Sequence, residues 1–171
     1  VMGGDHTITW PSATAVADVY GYGNVGMVHF DAHADTAESI DGNLASHGTP
    51  MRRLIESGAI PGKNFIQIGL RSHWPGEEVW DWMAEQGMRW HLMDEIWERG
   101  FQAVMADAVA EAPDGPEFLY ISVGIDSLDR AKLIPWCVRP FQPLGQVMER
   151  VGAAGYNPGE VVTMARSQPD G

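Results

Sequence analysis

Cysteine is nearly absent from this sequence. Cys137 is the only one in 171 residues, which excludes an intramolecular disulfide framework and fits a reducing compartment, with the cytoplasm as the expected location. Cationic side chains are scarce too: 11 Lys and Arg stand against 23 Asp and Glu, for a formal net charge of -12. That balance argues against nucleic acid and anionic membrane surfaces as partners and is compatible with a cationic substrate. No apolar run approaches the ~20 residues needed to cross a bilayer. No signal peptide is visible, and there is no internal repeat or low-complexity tract. What remains is an ordinary globular composition, 44% hydrophobic, in a chain long enough for one domain with a sizeable core. It opens at Val1, directly on a motif, and is read as a piece whose upstream portion is missing.

The most informative stretch is VGMVHFDAHAD, Val25 to Asp35. Its first half is a short apolar run, as in a buried strand. Its second half carries Asp31, His33 and Asp35 at alternate positions, with His29 two residues before. In an extended segment, residues i, i+2 and i+4 share one face, so the three can converge just past the strand's end. Open parallel sheets place their sites at the carboxyl ends of strands. Acidic oxygens mixed with imidazole suit a divalent transition metal such as manganese, or zinc.

Taken in order, the chain alternates strands and helices. VMGGDH, Val1 to His6, reads as the tight exit from a strand, since glycine permits close backbone approach. Ser12 to Tyr22 is predicted helix with Pro11 near its first turn. Thr36 to Thr49 is polar and turn-rich, hence a loop beside the candidate ligands. It contains His47, either a solvated loop residue or a proton shuttle, because imidazole is the side chain that titrates in the neutral range. Pro50 to Ser57 is predicted helix closed by Gly58, and Phe65 to Gly69 a second buried strand followed by Arg71. Glu77 to Gln86 is helical, with Trp80 and Met83 as core. Met88 to Leu92 is a short strand in which His91 is structural. Asp94 caps a helix that runs from Glu95 to Ala112 with an interruption at Gly100. Phe118 to Ile125 is a third apolar strand ending beside Asp126, with Asp129 three residues later. Beyond Asp129 the character changes: Pro135, Pro140 and Pro143 interrupt the chain, Leu144 to Ala154 is a candidate helix, and the tail from Gly155 is loop-like. Alternating strands and helices argue for a parallel sheet covered on both faces.

Each polar residue has a bland explanation; His6, for instance, is read alone as a polar loop residue. Together, three strand ends each delivering Asp or His favour a metal site over a set of caps and turns. The blocks GGDH (Gly3 to His6), DAHAD (Asp31 to Asp35) and SVGIDSLD (Ser122 to Asp129) resemble the three signature blocks of the ureohydrolase family, which includes arginase, agmatinase and guanidinobutyrase. The resemblance runs from Val1 to about Asp129, and residues 130–171 form a divergent tail of what is read as a single, partial domain. The tracts GNLASHGTP and QIGLR look most like the agmatinase branch.

The resemblance implies an α/β fold, a three-layer α-β-α arrangement with a mainly parallel sheet, arginase-like and here incomplete. It implies a binuclear manganese centre that hydrolyses a guanidino compound to urea and an amine, most simply agmatine to putrescine plus urea. A guanidino-acid hydrolase of the guanidinobutyrase type is the alternative within the family. Carried over residue by residue, His6 and Asp35 bind one Mn2+, His33 and Asp126 the other, Asp31 bridges them, and His47 matches the proton-transfer histidine. A complete chain is expected to form a homo-oligomer. Two departures stand out. Gly124 occupies a position where the family carries a second bridging Asp. Arg130 replaces a Pro, and from Lys132 onward the family pattern is lost. A catalytically impaired fragment, a shifted reading frame or a degenerate paralogue would each produce this pattern. A zinc amidohydrolase of the related deacetylase fold is a further reading, but its motifs differ from GGDH plus DAHAD.

Overall fold

The computed structural model describes residues 5–71, 76–111, 115–127 and 162–165, with residues 125 and 162–165 described by their backbone. Five strands form one parallel sheet in the order β3-β2-β1-β4-β5: β1 Val25–Phe30, β2 Phe65–Leu70, β3 Arg89–Leu92, β4 Phe118–Gly124 and β5 Val162–Ala165. The helices are α1 (Thr9–Tyr20), α2 (Pro50–Glu56), α3 (Glu77–Glu85), α4 (Met93–Arg99) and α5 (Phe101–Ala110). Strand β1 lies at the centre, and every one of its residues is buried, as expected for a strand covered on both faces.

Side-chain alternation along β1 sorts the core into two layers. Val25 and Met27, with Phe65 and Tyr120 beside Met27 in register, pack under Ala13 and Ala17 of α1, Met51 and Leu54 of α2 and Met83 of α3. Val28 and Phe30, with Ile66, Ile68, Ile121 and Val123, pack against Met105 and Ala108 of α5. Helices therefore lie on both faces of the sheet, which is the α/β three-layer architecture.

Several elements differ from the sequence expectation. Helix α1 begins at Thr9, ahead of Ser12, because Pro11 falls inside its first turn, where a missing N–H costs no intrahelical bond; a single 3-10 turn, His6–Ile8, precedes it. Asp94 is not a cap: Leu92 holds the N-cap position and Asp94 lies in the first turn of α4, where a carboxylate meets the positive end of the helix dipole. Gly100, with φ +84°, divides α4 from α5. The tail read as loop contributes β5, an edge strand parallel to β4; its β-branched residues carry no helical or alternating period to announce it. The proposed strand exit before Asp5, the 144–154 helix and Asp129 lie outside the described residues.

The segment after β1 is not an extended strand, contrary to the alternation argument. Main-chain pairing runs on past Phe30, with Asp31 N–H donating to Ile68 O (3.2 Å) and Arg71 N–H donating to Ala32 O (3.0 Å), across an irregularity in β2 at Gly69, whose φ is +97°. The chain then turns. Asp31 Oδ1 accepts from His33 N–H at 2.8 Å, an Asx turn, and Asp35 sits in the left-handed region at φ +53°. That conformation costs Asp less than most residues. It is anchored by Met51 N–H at the head of α2, which donates to Asp35 O at 3.1 Å.

Candidate metal centre

The turn brings together what alternation was expected to bring together, by a different route. His6 arrives from the 3-10 turn before α1, Asp31, His33 and Asp35 from the loop after β1, and Asp126 from the turn after β4. Two groups result, His6, His29, Asp31 and Asp35 in one and Asp31, His33 and Asp126 in the other; within each, the ligand-capable atoms all lie within 4.8 Å of one another. Asp31 belongs to both. Its Oδ2 lies 3.7 Å from His6 Nδ1 and 3.3 Å from His29 Nε2, and its Oδ1 lies 3.6 Å from His33 Nδ1. Asp35 Oδ2 pairs with His6 Nδ1, and Asp126 Oδ2 lies 3.0 Å from His33 Nδ1. The first group is buried, with His6, Asp31 and Asp35 each at most 5% exposed. The second opens to solvent on the side of His33, whose side chain is 35% exposed. The site thus has a closed floor and one accessible edge.

Three carboxylates meet here, and the imidazoles respond. Burial works against a charge on His6, but the neighbouring Asp35, with Asp31 and Asp126, outweighs it and raises the pKa from 6.5 to about 9. His33 is raised to about 10, first by its hydrogen bond with Asp126 and then by the neighbouring Asp31. Burial alone would raise Asp31, yet the nearby His29 and His33 imidazoles hold it well below the usual carboxylate range. Asp35 is raised, chiefly by its own burial, with Asp31 adding to the shift. Without metal, therefore, two imidazolium protons offset the acids. These raised values stabilise the metal-free fold fully below 6.5, and that contribution is lost as pH rises through about 9 to 10. A divalent cation needs the imidazole lone pairs, so it displaces those protons. Metal binding at neutral pH is expected to release protons, and the release to vanish above about pH 10; titration calorimetry in buffers of different ionisation enthalpy measures it.

The residues present fit a metal pair on the structure's own terms. Asp126 Oδ1 is buried and has no hydrogen-bond partner among the described residues, although a carboxylate oxygen so placed ordinarily finds one. The donor set is imidazole and carboxylate, suited to divalent first-row metals. Around Gly124 the packing is tight: a Cβ there would overlap Asp31 Oδ2 and stand 2.8 Å from Asp126 Oδ1.

Reading the sequence missed the layer beneath the ligands. His29, Gln67 and Ser122 stand in register across β1, β2 and β4, and all three are fully buried. Ser122 Oγ lies 3.1 Å from His6 Nε2, so His6 keeps Nδ1 for the carboxylate side. The sequence alone gives Arg71 no role. Its guanidinium donates to the carbonyls of Asp126 and Ser127, which ties the turn carrying Asp126 to the end of β2. The signal was available: each of the three central strands has one polar residue in an otherwise apolar run. His47 is not brought to the cluster. It is exposed in its loop, with Nδ1 3.4 Å from its neighbour Ser46 Oγ.

Residues 1–133 match the family model described as Arginase family. Over 130 residues the chain is 37% identical to a guanidinobutyrase of Pseudomonas aeruginosa, covering 76% of this chain and 40% of that protein. Over the same length it is 39% identical to a mitochondrial agmatinase of Gallus gallus, covering 76% of this chain and 37% of that one. The structure superposes on a formimidoylglutamase of Bacillus subtilis with a TM-score of 0.75 at 27% identity, covering 96% of this chain and 50% of that chain. The chain spans about two fifths of the length of the curated relatives it matches.

Proposed function

Because the chain belongs to the arginase family, we propose that its His and Asp cluster holds two divalent ions, manganese by preference, and hydrolyses a guanidino compound to urea and an amine. The observation that carries this reading is the position of Asp31, one carboxylate with an oxygen in each half of the cluster. His6 and Asp35 with Asp31 Oδ2 would hold one ion, and His33 and Asp126 with Asp31 Oδ1 the other. Such ions act as Lewis acids that acidify a water and place it against an electrophilic carbon. That is what a guanidinium needs, since its carbon is a poor electrophile. In the overall reaction one water adds across the C–N bond to the substituted nitrogen. The product carbon leaves as urea, and the nitrogen leaves with its alkyl chain as the amine.

The protein's own groups supply the remainder. The buried floor at Asp35 and His6 excludes bulk water, and the half-exposed edge at His33 admits substrate. The leaving amine requires a proton, for which His47, in the exposed loop after the ligand segment, is the proposed donor. The excess of 23 acidic over 11 basic residues favours a substrate with a cationic tail at long range, which places agmatine first and a guanidino acid second. A panel of manganese-loaded reactions decides: urea release from agmatine in excess over 4-guanidinobutyrate is expected. Equal release would contradict the substrate assignment, and no urea from any guanidino compound would contradict the reaction.

A further inference from the structure

His29 lies inside the cluster and is the one imidazole there to which the proposed function gives no work. It is fully buried, its ring centre lies 4.9 Å from that of His6 with the planes tilted by 37°, and its Nε2 lies 3.3 Å from Asp31 Oδ2. Position alone would make it a ligand. Its other nitrogen decides otherwise. Gln67 Nε2 donates to Ala34 O at 2.7 Å, and that carbonyl can only accept, so the amide is fixed with its NH2 group on this side. The same NH2 lies 3.0 Å from His29 Nδ1. Its second hydrogen points to a lone pair there, so Nδ1 is an acceptor. A neutral imidazole that accepts at Nδ1 carries its proton on Nε2. It has no lone pair to offer a metal at Nε2 unless it loses its last proton.

We infer that His29 is not a ligand but a positioning residue: Gln67 fixes it as the Nε2–H tautomer, and that N–H holds the Asp31 carboxylate in place between the two halves of the site. The inference rests on the metal reading above for its purpose, though not for its geometry. The chain Ala34 C=O, Gln67 NH2, His29 and Asp31 connects the centre of the sheet to the shared carboxylate. All four of its members are fully buried or nearly so, and His29 and Gln67 are register partners on adjacent strands. His29 Nε2 has no aligned hydrogen-bond partner among the described residues, and Asp31 Oδ2, 3.3 Å away, is within reach of its N–H. Groups that orient metal ligands in this way typically change metal affinity roughly 10- to 100-fold when removed.

The test uses the full chain labelled with 15N in histidine. In metal-free protein, long-range 1H-15N spectra are expected to show His29 as the Nε2–H tautomer, and Gln67→Glu, which replaces the donor by an acceptor, to move the proton to Nδ1. On loading with 113Cd2+, coupling to the ring nitrogens of His6 and His33 is expected, with none to His29. His29→Phe is expected to weaken Mn2+ binding at least tenfold, and His29→Gln, which can still donate to Asp31, to recover most of the loss; a packing role alone would favour the better-filling Phe. An Nδ1–H tautomer in the unmodified chain, or 113Cd coupling to His29, would overturn the inference. Absence of coupling to every histidine would instead overturn the metal reading, while the metal-free tautomer would still decide how Gln67 sets His29.

Discussion

Asp31→Asn is expected to lower affinity for Mn2+ by more than the roughly 10- to 100-fold that loss of an outer partner costs, and to abolish urea release. The substitution is chosen because it changes so little else. An Asn carbonyl oxygen can still accept from His33 N–H, so the Asx turn that shapes the loop survives. What disappears is the negative charge common to both halves of the site, from which the His29 and His33 imidazoles lie 3.3 Å and 3.6 Å away. Both halves of the proposed site lose their share of that charge at once. A 100-fold loss corresponds to about 2.7 kcal/mol, well within what removal of a buried charge partner produces. Calorimetric titration with Mn2+, alongside far-UV circular dichroism to confirm folding, measures it. An unchanged affinity would mean that Asp31 serves only to shape its loop.

The second large effect concerns Gly124, the position where the resemblance leads one to expect a second bridging carboxylate. Gly124→Asp is expected to tighten Mn2+ binding by about tenfold or more, and Gly124→Ala to weaken it. The two substitutions share the same steric demand. A Cβ overlaps Asp31 Oδ2 and approaches Asp126 Oδ1, so in either variant the Asp31 carboxylate must give way. Only Asp brings a compensating oxygen and charge. A carboxylate ~4 Å from a divalent ion at an effective dielectric of about 20 gains on the order of 8 kcal/mol in Coulomb energy. Desolvation and the displacement of Asp31 take most of this back, and a remainder of about 1.4 kcal/mol is already tenfold. Comparing the pair isolates charge from bulk. If both variants weaken binding equally, the space beside Asp31 is not a place from which a carboxylate reaches the ions.

The central strands were legible because burial on both faces leaves a signature of unbroken apolar residues. Strand β1, Val25–Phe30, is the apolar first half of the 25–35 stretch, and β2 and β4 differ from their expected ends by one residue. The identities of His6, Asp31, His33, Asp35 and Asp126 as a group were legible too, since strand ends in a parallel sheet converge. The means of convergence was not. Alternation predicted a shared face, whereas the chain uses an Asx turn at Asp31 and a left-handed Asp35, which are local hydrogen-bonding choices that no periodicity records. The layer formed by His29, Gln67 and Ser122 depends on strand register, and register between distant strands is not written in either strand alone. Strand β5 was missed for a related reason: an edge strand contributes few residues and needs its neighbour to be recognised.

In the proposed site one carboxylate, Asp31, serves two ions. Diffraction at the manganese absorption edge, from crystals of the chain grown with Mn2+, tests it directly. The expected result is two anomalous peaks flanking the Asp31 carboxylate, one beside His6 and Asp35 and the other beside His33 and Asp126. A single peak, or two peaks of which neither touches Asp31, would contradict it.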